Sequence, residues 1–256
     1  MHIIKNIVIT LVRNIRRFCK FFAAKFDRES IACMYIKGRG IEIGALHSPL
    51  QLPKSAKAKY IDRMSTFELK KQYPELKSKE FLNVDIIDDG EHLSKIKDST
   101  QDFVIANHFL EHCQNPIGAI GNMLRVLKNG GVLYLSIPDK RYSFDADRPQ
   151  TSIGHILRDY QEGPEWSKKQ HFDEWTRYIA NIKDAGEADR YIVHLMKMDY
   201  SIHYHAWSQT EVIELIVMLK KKFSFNFEVE LICKNMGEVI IILKKMLSHN
   251  QYIATF

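Results

Sequence analysis

A chain of 256 residues, 45% apolar and 27% charged, can build one substantial core; this excludes disorder over most of its length and leaves too little chain for two full enzyme domains. The net charge of +6 does not make it a polycation, because much of the excess is local. Up to Arg28, seven bases (Lys5, Arg13, Arg16, Arg17, Lys20, Lys25 and Arg28) face one acid, Asp27, and the remainder is close to balance.

Ile4, Ile7, Val8, Leu11, Ile15, Phe18 and Phe22 recur at three- and four-residue steps with bases between them, which predicts a basic amphipathic helix over residues 3–26. Such a helix either packs on the main domain or makes peripheral contact with an anionic membrane surface. The apolar run Ile7 to Val12 is far shorter than the roughly 20 residues of a spanning helix. Residues 1–30 are therefore read as an N-terminal helix and 31–256 as the main domain. Cys19, Cys33, Cys113 and Cys233 form no Cys-x-x-Cys pair, so a zinc knuckle and a disulfide framework are both disfavoured, and a reducing cytoplasm is expected.

From residue 40 short apolar runs alternate with helical stretches, the pattern of an α/β fold with a mostly parallel sheet and helices on both faces. Seven strands are expected: 41–43, 58–61, 81–87, 103–106, 131–137, 225–233 and 238–244, the last two joined as an antiparallel hairpin through Lys234-Asn235-Met236-Gly237. Helices are expected near 67–72, 116–127 and 210–221, the last opened by a Ser208-x-x-Glu211 capping box. Residues 139–206 interrupt the alternation. They read as an insertion over the carboxyl edge of the sheet, with helices near 153–161 and 167–182, forming a substrate-binding cap.

In doubly wound sheets the ligand sits beyond the carboxyl ends of the strands. Gly44, beside Ala45, follows the first strand there, and Glu42 can reach a cationic ligand group or order the loop. Asp62, beside Arg63, ends the second strand 18 residues after Gly44, placed to accept from both hydroxyls of a ribose. Asp88, Asp89 and Gly90 follow the third strand, where a carboxylate suits an adenine amino group, and Asn107 and His108 end the fourth.

In that order the segments "GIEIGALHSPL", "YIDR", "VDIIDDGEHL", "QDFVIANHFLEH" and "LRVLKNGGVLYLSIPDKR" resemble the successive motifs of class I methyltransferases with a methyltransferase-11-like core, over about residues 31–245. The resemblance implies a Rossmann-like fold and S-adenosylmethionine as cofactor, with contact roles for Glu42, Gly44, Asp62, Asp89, Asn107 and His108. It departs from the family at the first motif, where only the first glycine of the usual series remains. Together with "IPDKRYSFDADRP" and "HYHAWSQTE" the sequence is similar to a bacterial subgroup linked to surface polysaccharides, implying a small-molecule acceptor such as a sugar or phosphoryl-linked group of a glycan precursor.

Methyl transfer needs an aligned acceptor and, for a hydroxyl, a base. The candidates are His203 and His205, two apart and so on one side of an extended segment, with His171, His112 and Asp139. No metal-ligand set is assigned, although His and Asp together could hold a divalent ion. Trp166, Phe172, Trp175 and Tyr178 fall at helical spacing, which favours packing over stacking on nucleic acid, so no nucleic-acid partner is expected. Two competing readings are a nicotinamide-dependent oxidoreductase, opposed by the missing later glycines, and a catalytically silent scaffold at a membrane surface. The sequence carries no signal for the oligomeric state.

Overall fold

The computed structural model describes residues 26–247; the helix expected over residues 3–26 lies outside them but for Phe26. Among the described residues no helix is long and apolar enough to cross a membrane. The first described helix, α1 (Arg28–Tyr35), straddles the boundary expected at residue 30, and Asp27 caps it by accepting from the Ser30 amide at 2.9 Å.

The strands β1 (Gly38–Ile43), β2 (Ala56–Asp62), β3 (Ile86–Ile87), β4 (Gln101–Asn107), β5 (Leu127–Pro138), β6 (Phe227–Asn235) and β7 (Glu238–Lys245) form one sheet in the order β3-β2-β1-β4-β5-β7-β6. β1 to β5 pair in parallel, whereas β7 runs antiparallel to β5 and β6. Chain order reverses between β1 and β4, which makes their carboxyl ends the ligand crevice of this topology.

Period-two alternation divides the core between the two faces. Ile41, Ile43, Val104, Ala106, Leu133, Leu135, Val239 and Ile241 face α3 (Pro116–Val126) and α7 (Gln209–Lys222), and α7 opens with the expected Ser208–Glu211 capping box. Phe103, Ile105, Tyr134, Ile240 and Ile242 face Ile31, Ala32 and Ile36 at the other side. A short helix, α2 (Thr66–Gln72), follows β2.

Two local features shape the crevice, the second a departure from expectation. No helix follows β1: residues 44–55 stay a loop, with Pro49 and Pro53 disfavouring helix and Leu50 and Leu52 filling the layer that a helix would have filled. β3 shrinks from the expected 81–87 to Ile86–Ile87, because residues 82–85 bond outside a ladder: Thr66 Oγ1 accepts from the Val84 amide and Asp85 Oδ2 from the Tyr60 amide.

The insertion folds as a helical cap. It contains α4 (Ile153–Glu162), α5 (Glu165–Glu174) with a π-helical turn at Trp175–Ile179, and α6 (Ala185–Lys197). The second expected helix thus ends early and changes pitch, and α6 was not foreseen. Phe172, Ile192, Leu195, Ile202 and Tyr204 form the cap's own small core. Of the four aromatics expected to pack inward, Phe172 is fully buried, whereas Trp166 lies over Arg158 and Tyr178 is exposed.

Candidate cofactor cleft and acceptor cap

Gly44 leaves β1 with φ +66°, a conformation that L side chains rarely adopt. Its amide donates to the Ile61 carbonyl, tying the turn to β2. Glu42 is buried on the α1 face; its Oε1 accepts from the Leu50 amide at 2.9 Å, and its Oε2 has no partner. Burial pushes this carboxyl up to about 7, against the lowering pull of the Leu50 bond. Of the two roles expected for Glu42, the geometry displays the ordering of the loop.

Asp62 ends β2. Burial pushes its carboxyl up to about 6, although the Arg63 and Met64 amides donate to it. A cavity of about 10 Å³, room for about one water, lies among Ala45, Leu46, Tyr60, Asp62, Leu69 and Val84. Arg63 turns away from the strand end to pair with Asp199 of the cap at 2.7 Å.

After β3 the acidic pair shapes its own turn. Asp88 accepts from the amides of Asp89 and Lys95, and Asp89 from the Glu91 amide and His92 Nδ1. Gly90 lies flush against Ile43 and Phe109; a Cβ there would come within 2.5 Å of both side chains.

Asn107 ends β4 with both atoms of its amide buried and unpartnered. His108, with φ +48°, sends Nε2 to Glu238 Oε2 at 2.7 Å. Glu238 also accepts from Arg28, Ser136 and Asn235, so His108 joins the network that anchors α1. Phe109, which the motif analysis passed over, packs its ring against both Gly44 and Gly90.

The cap's extended segment, residues 199–207, crosses this edge. It is held at β2 by Arg63–Asp199 and at β4 by the Glu111 carbonyl, which accepts from the Tyr204 and His205 amides at 2.8 and 3.2 Å. His112 Nδ1 lies 2.9 Å from the Ile202 carbonyl. His203 and His205 meet different carboxylates. His203 Nδ1 is 2.6 Å from Asp145 Oδ2, and Asp145 is fixed at 2.8 Å by Arg148, whose side chain is fully buried. His203 Nε2 lies 4.0 Å from Glu111 Oε1, and neither Glu111 oxygen has a partner. Burial pushes Glu111 up to about 8.

His205 is fully buried and stacks on Trp207; with His171 it approaches His155 and Asp159. Burial holds His171 down to about 3 and His205 well below its usual value, so both rings stay neutral. The structure therefore separates three of the expected catalytic residues: His203 in one cluster, His171 and His205 in another. Asp139, the fourth, is buried and occupied. It caps a 3-10 turn, grips Arg141 through both oxygens and accepts from the Gln209 amide at the start of α7. Burial pushes its carboxyl up, but Arg141 and the Gln209 amide together more than offset this and hold it below the usual range.

Sequence reasoning missed Glu111, His155 and Asp159. For the last two a signal existed: His155 and Asp159 are four apart on α4 and so share one helix face.

Residues 51–135, which carry β2 to most of β5, match the family model described as a methyltransferase domain. The chain carries a methyltransferase domain. Its methyl donor is S-adenosylmethionine, and its strand order sets Gly44, Asp62 and Asn107 at the carboxyl ends of β1, β2 and β4, beside the crevice of this topology. The methyltransferase is 29% identical to an uncharacterized protein, MJ1123, of Methanocaldococcus jannaschii over 162 residues, 63% of this chain and 70% of that one. Solved structures are similar to it. One, a SAM-dependent methyltransferase of Methanosarcina mazei, is 17% identical over 84% of this chain and 96% of that chain, with a TM-score of 0.45. Another, provisionally named a Zn-dependent alcohol dehydrogenase of Rhodobacter sphaeroides, is 14% identical over 87% and 91%, with a TM-score of 0.50.

The residues present fit the cofactor. Asn107 offers a buried amide with unused donors and acceptor, Asp62 a carboxylate suited to a diol, and Gly44 a backbone without a side chain in the way. The first turn offers no helix N-terminus, because no helix follows it.

Proposed function

We propose that this methyltransferase acts on a small polar acceptor, a sugar hydroxyl or phosphoryl-linked group of a surface-glycan precursor, bound between the carboxyl edge of the sheet and the cap, in the cytoplasm. The observation that carries this reading is the Asp145–His203 pair at 2.6 Å, which the buried Arg148 fixes, with His203 on the segment that crosses the crevice. S-adenosylmethionine supplies an electrophilic methyl group, and Asp62 and Asn107 would hold it, with Gly44 giving its backbone room.

The chain's own task is to orient the acceptor and take its proton. Asp145 at Nδ1 fixes the tautomer of His203, which leaves Nε2 as the accepting nitrogen. The distance between Nε2 and Glu111 Oε1 is too long for a direct hydrogen bond. Glu111, neutral through burial, can donate to an acceptor oxygen. The polar groups gathered here support a hydroxylated acceptor over an apolar one.

Incubating labelled S-adenosylmethionine with nucleotide sugars and phosphorylated metabolites, and following label transfer, tests the reading. His203→Gln is expected to retain adenosylhomocysteine affinity and to lower turnover by about 100-fold or more, the usual contribution of a positioned base. Unchanged turnover in that variant would remove His203 from the chemistry. Label transfer only to protein or nucleic acid would overturn the acceptor class.

A further inference from the structure

Four side chains that the transfer chemistry does not use converge beneath the cap: His155 and Asp159 from α4, His171 from α5 and His205 from the extended segment. One ligand-type atom from each lies within 4.8 Å of all the others. His155 Nε2 is 3.0 Å from His171 Nε2 and 3.3 Å from Asp159 Oδ2, and His205 Nε2 is 3.9 Å from the same oxygen. Tetrahedral ligands bonded at about 2.0–2.1 Å to a zinc ion stand about 3.3 Å apart, so the observed spacings bracket those of a filled site.

Hydrogen bonding accounts for only part of the cluster. Asp159 Oδ2, Nε2 of His205 and Nδ1 of His171 are buried without a hydrogen-bond partner, although side chains buried this deeply are normally satisfied. His205 and Asp159 are wholly buried, so bulk water does not relieve them. The other Asp159 oxygen accepts from the Ser167 hydroxyl at 2.9 Å, the kind of outer contact that orients a ligating carboxylate.

We propose that His155, Asp159, His171 and His205 bind one divalent transition-metal ion of the zinc type. Three imidazoles and one carboxylate suit zinc, cobalt or nickel better than magnesium or calcium, which prefer all-oxygen shells. Four protein ligands leave no open position, so the ion is structural: it ties α4 and α5 to the segment that carries His203 across the crevice. The site departs from the sequence reading, which assigned no metal ligands and counted His171 and His205 among the catalytic candidates. It stands independently of the acceptor assignment.

The full chain, produced in zinc-supplemented cells and dialysed against metal-free buffer, should retain about one zinc ion per molecule by mass spectrometry of the metal. Chelation should lower its Tm, and Zn²⁺ should restore it; Co²⁺ in place of zinc should give the intense visible absorption of a tetrahedral site. Asp159→Asn and His171→Ala should each weaken Zn²⁺ binding by at least about 10-fold, the loss that even an outer contact of a metal ligand carries. If those fail to fold, the half-buried position decides through His155→Gln, with His194→Gln on the exposed side of α6 as the control. Folded wild-type protein that holds no metal and shows no Tm response to Zn²⁺, Co²⁺ or Ni²⁺ overturns the proposal. Zinc retained equally by His155→Gln and the control overturns it too. Adenosylhomocysteine calorimetry on the same preparations separates a failure here from a failure of the methyltransferase reading.

Discussion

The carboxylates at the strand ends and those of the cap have opposite kinds of partner. Glu42 accepts from Leu50, Asp62 from Arg63, Asp88 from Asp89 and Lys95, and Asp89 from Glu91, all backbone amides within eight residues. In the cap, Asp145 holds His203 from 58 residues away, and Asp159 meets His205 and His171 across separate elements. A carboxylate of the first kind sets the shape of its own loop as soon as the chain turns there. One of the second kind acquires its surroundings only when the cap has docked, so its energetics depend on long-range partners and should respond steeply to their loss.

The largest expected effect comes from that dependence. Arg148 is fully buried, 2.8 Å from Asp145 and 3.5 Å from Glu174, and it donates to the Tyr204 carbonyl at 3.3 Å. Arg148→Leu would leave Asp145 buried with only His203 to balance it, a loss expected to cost about 3–5 kcal/mol in urea unfolding. A cost below about 1 kcal/mol would mean that the cap's carboxylates are as self-sufficient as the strand-end ones, and the contrast would fail.

A middle effect is expected at Asp62, where burial has raised the carboxyl from its usual value to about 6. Without ligand, the native state therefore holds more protons than the unfolded chain between about pH 4 and 6, so this group's contribution to stability is present below pH 4 and lost as pH rises through 6. Asp62→Asn should raise the stability of the ligand-free protein above pH 6, by roughly 1–3 kcal/mol, and leave it unchanged below pH 4. The same substitution should weaken adenosylhomocysteine binding by about 10-fold or more, because a carboxylate accepts from a diol better than an amide does. Thermal scans across pH and calorimetry at pH 8 read the two effects, and a variant that loses stability at pH 8 would show that the carboxylate is satisfied without a ligand.

The same contrast explains what the sequence disclosed. The seven strands were legible because both faces of the sheet are buried and runs such as Phe103-Val104-Ile105-Ala106 are continuously apolar. The strand-end placement of Asp62 and Asn107 was legible because the apolar runs before them fix where each strand stops. A glycine turn does not dictate the next element, and the signal that the β1–β2 connection stays a loop lay in Pro49 and Pro53. Helix α6 was missed because its buried stripe is thin, Ala188, Ile192 and Leu195 among charged residues, with Gly186 near its start. The two-residue spacing of His203 and His205 was visible, yet their division between Asp145 and Asp159 was not. Those carboxylates reach them through the packing of α4 and the 139–148 loop, which leaves no trace in local spacing.

The smallest expected effect concerns the cap's two attachments to the crevice. At β4 the bonds from Tyr204 and His205 to the Glu111 carbonyl belong to buried residues, whereas at β2 the link is the Arg63–Asp199 pair, with the Asp199 side chain 70% exposed. Water and salt screen a pair of that kind, and ordering two flexible side chains opposes it. A double-mutant cycle over Arg63→Ala and Asp199→Ala should therefore give a coupling below about 1 kcal/mol that shrinks further in high salt. Arg63→Ala alone can cost more than Asp199→Ala, because one of its terminal nitrogens is buried and the chain also borders Tyr73. A coupling above about 2 kcal/mol that persists in salt would make the β2 link as firm as a buried pair, and the cap would then be clamped equally at both ends of the crevice.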